Sequence, residues 1–190
     1  MDPGSNPTTV ELSATGRVIL GMIALGRRTG YDIKQLVDKS TRHFWAASYG
    51  QIYPELKQLE EQGLVAGRPE PTGGRARTVY TLTARGEAAL RGWLESGGEP
   101  LYELRDEGML KLFFSDFTEP AQRIENIRAM RARQERKLEA LRAIEEAASQ
   151  GPAGPYSTLQ LGIGLTTWII DWCHATERQF AARSQEDEPL

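Results

Sequence analysis

The order of elements over residues 18–94 constrains this chain most: three short helices, two short extended runs and a fourth helix. Val18, Ile19, Met22, Ile23 and Leu25 predict an apolar first helix ending at Gly26. Thr29-Gly30 opens a second helix, in which Ile33, Leu36 and Val37 recur at helical spacing. After a loop around His43-Phe44-Trp45, Ser48 is placed to cap a third helix, with Gln51 completing a capping box. That helix buries Ile52, Leu56 and Leu59 and stops at Gly63. Extended runs over 64–68 and 78–82 follow, joined by Pro69-Glu70-Pro71-Thr72-Gly73-Gly74-Arg75-Ala76-Arg77, too long and too rich in glycine and proline for a tight turn. Thr83 caps the fourth helix, which turns Leu90, Trp93 and Leu94 inward. This order predicts a mainly α chain whose N-terminal part is a winged helix-turn-helix.

Composition separates this part from the rest. Residues 1–97 hold twelve basic and ten acidic side chains, a charge of +2, whereas residues 98–190 hold eleven and sixteen, a charge of −5. The whole-chain value of −3 therefore averages two unlike halves. The stretch Ser96-Gly97-Gly98-Glu99-Pro100 marks the change. Four segments are expected: a disordered tail over 1–15, a winged-helix DNA-binding domain over 16–97, a helical dimerisation and effector domain over 98–183, and a disordered tail over 184–190. One cysteine, Cys173, forms no disulfide framework, and two histidines, His43 and His174, leave little for a metal site. No metal and no cofactor is expected. Residues 1–16 are polar, without the apolar core of a signal peptide. The uncharged run over 157–170 is shorter than the roughly 20 residues a membrane span needs. A cytoplasmic chain without a membrane partner is expected, associated with a bacterial nucleoid when bound to DNA.

The third helix suits a major groove. Tyr49, Gln51 and Tyr53 in its first turns carry hydroxyl or amide tips, and Lys57 follows Tyr53 on the same face. Glutamine can pair with adenine, and tyrosine hydroxyls reach phosphates or base edges; packing alone is the other use for the two tyrosines. Pro54 removes one helical hydrogen bond and presses on the Gly50 carbonyl, so the first turn is expected to bend. Arg75 and Arg77, around the loop glycines, suit phosphate contacts or insertion into the minor groove.

The chain resembles the PadR-like transcriptional regulators. The resemblance rests on Val18-Ile19-Leu20-Gly21, Gly30-Tyr31-Asp32-Ile33, Ser48-Tyr49-Gly50-Gln51-Ile52-Tyr53-Pro54-Glu55-Leu56 and Leu59-Glu60-Glu61-Gln62-Gly63-Leu64-Val65. It continues through Gly74-Arg75-Ala76-Arg77, Tyr80-Thr81-Leu82-Thr83 and Gly86, with alanine where the family often has another basic residue. The resemblance implies a winged-helix repressor that binds an inverted repeat as a dimer. It also implies DNA contacts from Tyr31, Lys34, the start of the third helix with Ser48, and the wing.

The acidic half reads as helices. Residues 104–114 form a helix with an apolar face and look like the opening of the longer PadR-type C-terminal domain, with Gly108 where a bulkier residue is common. Residues 119–149 read as one long charged helix with Ile124, Ile127, Met130, Leu138, Leu141 and Ile144 on one side, interrupted by Arg131 and Gln134. The last helix, over about 156–182, is apolar nearly all round, so a second subunit is the natural cover. Leu161, Leu165, Trp168, Ile169 and Trp172 are the expected homodimer interface, with Gly162 and Gly164 allowing close approach and Asp171 pairing with an arginine across it. Such a two-fold axis would set two recognition helices about 34–36 Å apart. Trp168 and Trp172 lie one turn apart and are expected to anchor the core or interface; the resemblance to PadR-like regulators, some of which sense aromatic small molecules near the dimer interface, implies as the other use a wall for an aromatic or hydrophobic small-molecule effector. Cys173 beside His174 points in different directions and lacks a third ligand.

These features predict a ligand-responsive, dimeric transcriptional repressor acting on a palindromic operator in double-stranded DNA. A winged-helix protein-interaction adaptor is the alternative, favoured by the small positive excess. No catalytic arrangement of carboxylates, nucleophiles or phosphate-binding glycines occurs, so no enzyme is expected.

Overall fold

The computed structural model describes residues 11–45, 49–71, 77–97, 99, 102 and 104–186, the side chains of residues 42, 49 and 184–186 excepted. The chain divides into two compact units, Met1–Pro100 and Leu101–Leu190. The first contains α1 (Ala14–Ala24), α2 (Gly30–Lys39), α3 (Ile52–Glu61), β1 (Val65–Glu70), β2 (Arg77–Leu82) and α4 (Ala84–Glu95). Short 3-10 turns occupy Thr41–His43 and Tyr49–Gln51.

Local chemistry explains the boundaries. The Ser13, Thr29 and Thr83 side chains accept from the backbone N–H groups of Gly16, Asp32 and Gly86, and so cap α1, α2 and α4. Gly26 and Gly63 end α1 and α3 at φ of 82° and 67°, where a β-carbon would be strained. The Arg27 N–H then reaches the Met22 carbonyl, and the Leu64 N–H reaches the Leu59 carbonyl. Helix α1 thus begins four residues before Val18, and Leu12 is buried, so the expected disordered tail does not extend through residues 11–15.

Ile19, Leu20, Ile23, Ile33, Val37, Ile52, Leu56, Leu59 and Leu64 form the core of this unit. Leu90 packs against it, but Leu94 is 66% exposed and Trp93 lies at the surface, correcting their inward placement. The Arg17 guanidinium stands 5.6 Å from the Trp93 ring centroid, an arrangement that favours a partly wet indole. The antiparallel hairpin pairs Val65 with Leu82 and Glu70 with Arg77, so both strands run farther towards the tip than the sequence pattern predicts. The Tyr80 N–H donates to the Arg28 carbonyl at 2.7 Å, tying β2 to the residues just before α2.

The second unit contains α5 (Glu107–Phe113), α6 (Pro120–Arg142), α7 (Glu145–Ser149) and α8 (Ala153–Glu186), with a 3-10 turn at Ser115–Phe117. Asp106 starts α5 by accepting from the Gly108 and Met109 N–H groups, and also pairs with Arg133. Gly108 packs against Met130: a β-carbon there would stand 3.1 Å from Cε. The single charged helix expected over 119–149 is two helices, broken at Ala143 and Ile144. Helices α6 and α8 run antiparallel, with Ile127, Met130 and Cys173 as their shared core and Leu112, Ile169, Trp172 and Phe180 packed around it. Arg128 and Arg131 of α6 each donate to the Glu177 carboxylate at 2.6 Å. Arg131 also stands 3.0 Å from His174 Nδ1. Gln134, expected to interrupt the apolar stripe, is buried within it. The final helix extends to Glu186, past the expected start of a disordered tail. No helix among the described residues is long and apolar enough to cross a membrane.

Candidate nucleic-acid interface

The start of α3 is shaped by Pro54. Without an N–H, Pro54 cannot bond to the Gly50 carbonyl, and the α-helical ladder begins at Ile52 after a 3-10 turn. Pro54 then lies in the first turn, where its missing donor would have no intrahelical partner. Ser48, the expected cap, lies outside the described residues. Gln51 itself occupies the cap position without a side-chain capping bond, and its Oε1 accepts from the Thr15 hydroxyl at 3.3 Å.

Tyr53 and Tyr31 meet the solvent together at the adjoining ends of α3 and α2. Tyr53 is 63% exposed and Tyr31 62%. The Tyr53 ring rests on Gly30, where no larger residue would fit without moving it. The Tyr31 hydroxyl accepts from Gln35 Nε2 at 2.7 Å. Lys34 is exposed on the same helix, and Gln51 is exposed on the turn before α3. Glu55, the acidic residue in the first turn of α3, is held at the start of α1: its Oε1 accepts from the Ser13 hydroxyl at 2.5 Å, on the side where Gln51 meets Thr15. The exposed tips of Tyr31 and Tyr53 are phenol hydroxyls, with the Gln35 amide and the Lys34 ammonium exposed on the same helix as Tyr31.

Lys57 pairs with Glu61 one turn on at 3.6 Å, a contact open to solvent at both ends. Arg77 belongs to β2, not to the loop, and its guanidinium holds Glu70 across the hairpin at 2.6 Å. Arg75 lies outside the described residues, as does the side chain of Tyr49. Next to Tyr53, burial and the Glu60 carboxylate push the Tyr80 phenol above its usual range, against a lowering bond from Thr78 and with Tyr53 adding to the rise. Glu60 also accepts from the Gly67 N–H at 2.9 Å, joining α3 to β1. Gln35 and Thr15 escaped the sequence reading. A signal for Gln35 existed in its position one turn beyond Tyr31, whereas the Thr15–Gln51 bond spans 36 residues and leaves no local pattern.

In the second unit, the residues expected at a dimer interface fall on two sides of α8. Leu161, Leu165 and Trp168 are exposed, Trp168 at 63%. Ile169 and Trp172 instead pack against the Ile127–Met130–Cys173 core, so the two tryptophans do not form one exposed wall within the chain. Gly164 has open space around it, and a β-carbon on Gly162 would make ordinary contact with Leu141. Cys173 is fully buried, and burial raises its thiol above the usual range, Arg131 opposing the shift. No group of three or more potential metal-binding side chains occurs among the described residues.

Comparison with known proteins agrees with this architecture. Residues 19–92 match the Transcriptional regulator PadR-like family, and residues 104–181 match the Virulence activator alpha C-term family. The negative transcriptional regulator PadR of Bacillus subtilis is 39% identical over 98 residues, covering 50% of this chain and 53% of that protein. The match thus spans about half the length of that relative. The crystal structure of Bacillus subtilis PadR in complex with operator DNA superposes with a TM-score of 0.77 at 26% identity, over 86% of this chain and 97% of the other. The structure of the same regulator in complex with p-coumaric acid gives 0.71 at 26% identity, over 87% and 97%. The chain thus carries a PadR-like domain over residues 19–92, followed by a domain of the virulence-activator type over residues 104–181, and the proteins it is similar to are transcriptional regulators.

Proposed function

We propose that this regulator is a homodimer that represses an inverted-repeat operator and is released from it by an aromatic or hydrophobic small molecule. The observation that carries the DNA-binding part is the exposed pair Tyr31 and Tyr53 at the adjoining ends of α2 and α3, with Gln51 exposed on the preceding turn and the Glu55 carboxylate engaged by the Ser13 hydroxyl. Hydroxyl and amide groups suit phosphates and base edges, and a carboxylate on that face would repel the backbone. Lys34, Lys57, Ser48, Tyr49 and the wing arginines Arg75 and Arg77 complete the proposed footprint. The relative solved on operator DNA supports this use of the fold.

Exposed Leu161, Leu165 and Trp168 on α8 support dimerisation, with Ile169 and Trp172 behind them. An isologous contact there gives a protein two-fold that a palindrome can match. The p-coumaric acid complex of the relative supports an aromatic effector, which we assign to the Trp168 and Trp172 region. DNA binding would place the chain with the nucleoid, in the cytoplasm.

The ion pairs Arg77–Glu70 and Lys57–Glu61 favour a second reading, a protein-interaction adaptor, because they offset part of the positive charge. A gel shift separates the readings. The duplex most enriched by the chain from a random pool should be retarded, and p-coumaric acid and related phenolic acids should be titrated against the complex. Retardation reversed by one of these acids is the expected result. No retarded species contradicts DNA binding, and a complex insensitive to all of them contradicts an aromatic effector of this class.

A further inference from the structure

We infer that Gln35 is a positioning residue for DNA binding: it holds the Tyr31 hydroxyl so that its proton is presented to a phosphate oxygen. The inference rests on the DNA-binding reading above and assigns a role to a residue that reading does not use. Tyr31 and Gln35 are one turn apart on α2, the spacing at which helical side chains meet. Gln35 Nε2 donates to the Tyr31 oxygen at 2.7 Å, and both side chains are exposed.

The polarity of that bond matters. A phenol oxygen can accept while its own O–H donates, whereas an amide nitrogen only donates. With Gln35 as donor, the Tyr31 proton is left for an outside acceptor, and none is found for it among the described residues. Phosphate oxygens are acceptors only, so a hydroxyl held in this sense matches the backbone and one held in the opposite sense does not. A hydrogen bond received at the oxygen also polarises the O–H, strengthening its onward donation. Gln35 further restricts the ring of an exposed tyrosine, which otherwise samples several rotamers.

The fixed surroundings keep this geometry in place. The Thr29 hydroxyl caps α2 through the Asp32 N–H, and Tyr53 rests on Gly30 immediately before Tyr31. Neither contact uses the Tyr31 hydroxyl.

A double-mutant cycle tests the inference on the full-length chain and the duplex it most enriches from a random pool. Tyr31→Phe and Gln35→Leu should each weaken binding by about tenfold, and the double variant should bind no worse than Tyr31→Phe alone. The slope of affinity against salt should stay that of the wild type in all three, because no cation is lost, whereas Lys34→Ala should lower it by about 1. Circular dichroism and melting temperature, expected to match the wild type, confirm that these exposed changes leave the fold intact. Independent, additive losses would overturn the inference, since Gln35 would then touch DNA by itself. Wild-type affinity in Gln35→Leu would overturn it too while leaving the DNA-binding reading intact. A wild-type chain that enriches no duplex would overturn both.

Discussion

The Tyr53 ring lies against the backbone of Gly30, so close that a β-carbon on that glycine would stand 2.6 Å from Cε1. This contact joins the exposed start of α3 to the first turn of α2 and leaves both tyrosines facing the same solvent. Gly30 has an ordinary negative φ, so alanine is acceptable to the backbone and the conflict falls on the Tyr53 ring. Gly30→Ala should change stability by less than about 1 kcal/mol, because an exposed ring can swing aside. Operator affinity should fall by about tenfold as Tyr53 moves. Gel-shift titration beside a thermal melt checks both; unchanged affinity would show that the position of Tyr53 does not matter for binding.

Gly86 provides the opposite case. A β-carbon there would collide with the backbone carbonyl of Leu64, which cannot rotate away. That carbonyl also accepts from the Thr83 N–H at 3.1 Å, so movement would disturb the start of α4. Gly86→Ala should destabilise the N-terminal unit by at least about 2 kcal/mol, read by chemical denaturation. A loss below about 0.5 kcal/mol would contradict the close packing of α4 on Leu64, the residue between α3 and β1.

The exposed side of α8 bears on assembly. Leu161 and Leu165 face solvent, while the buried side of the same helix holds Leu159, Thr166 and Cys173. Leu161→Glu should therefore leave helix content unchanged and raise the dimer dissociation constant by about a hundredfold or more. Sedimentation velocity distinguishes the outcomes. A variant that remains dimeric at the same concentration would move the interface off this face.

Acid sensitivity should arise in the second unit. The Arg128 hydrogen bond, with Arg131 adding, holds the Glu177 carboxyl below the usual glutamate range despite some opposing desolvation. A carboxyl lowered on folding stabilises the fold above its unfolded value, and that contribution is lost as the pH falls through the folded value. The melting temperature should drop on acidification below the ordinary glutamate range, and Glu177→Gln should flatten that part of the profile. Equal acid slopes for the two proteins would remove Glu177 from the account.

The parts of the fold that could be read from sequence are those set by neighbours in the chain. Thr29 and Thr83 announce their helices because a cap acts over three residues, and Gly63 ends α3 by its own φ. Ser13 caps α1 a full turn before the apolar run that begins at Val18, and that run alone predicts a later start. The break at Ala143 and Ile144 contains neither glycine nor proline, so nothing local marks it. On α8 an all-round apolar pattern concealed which side is buried. The side against α6 includes Thr166, whose hydroxyl is satisfied by the Gly162 carbonyl at 2.7 Å in its own helix, so a polar residue sits inside while Trp168 sits outside. At the proposed DNA face, residue types are legible in the sequence and partnerships are not. Arg77 read as a loop cation, yet the hairpin register sets it opposite Glu70.

Selection from a random pool of duplexes, followed by sequencing, tests the central claim most directly. The account predicts an enriched inverted repeat whose half-site centres lie about 10–10.5 base pairs apart, or a multiple of that spacing, as two symmetry-related α3 helices require. Enrichment of an asymmetric sequence would contradict the dimer, and no enrichment would contradict the assignment of the Tyr31–Tyr53 face to DNA.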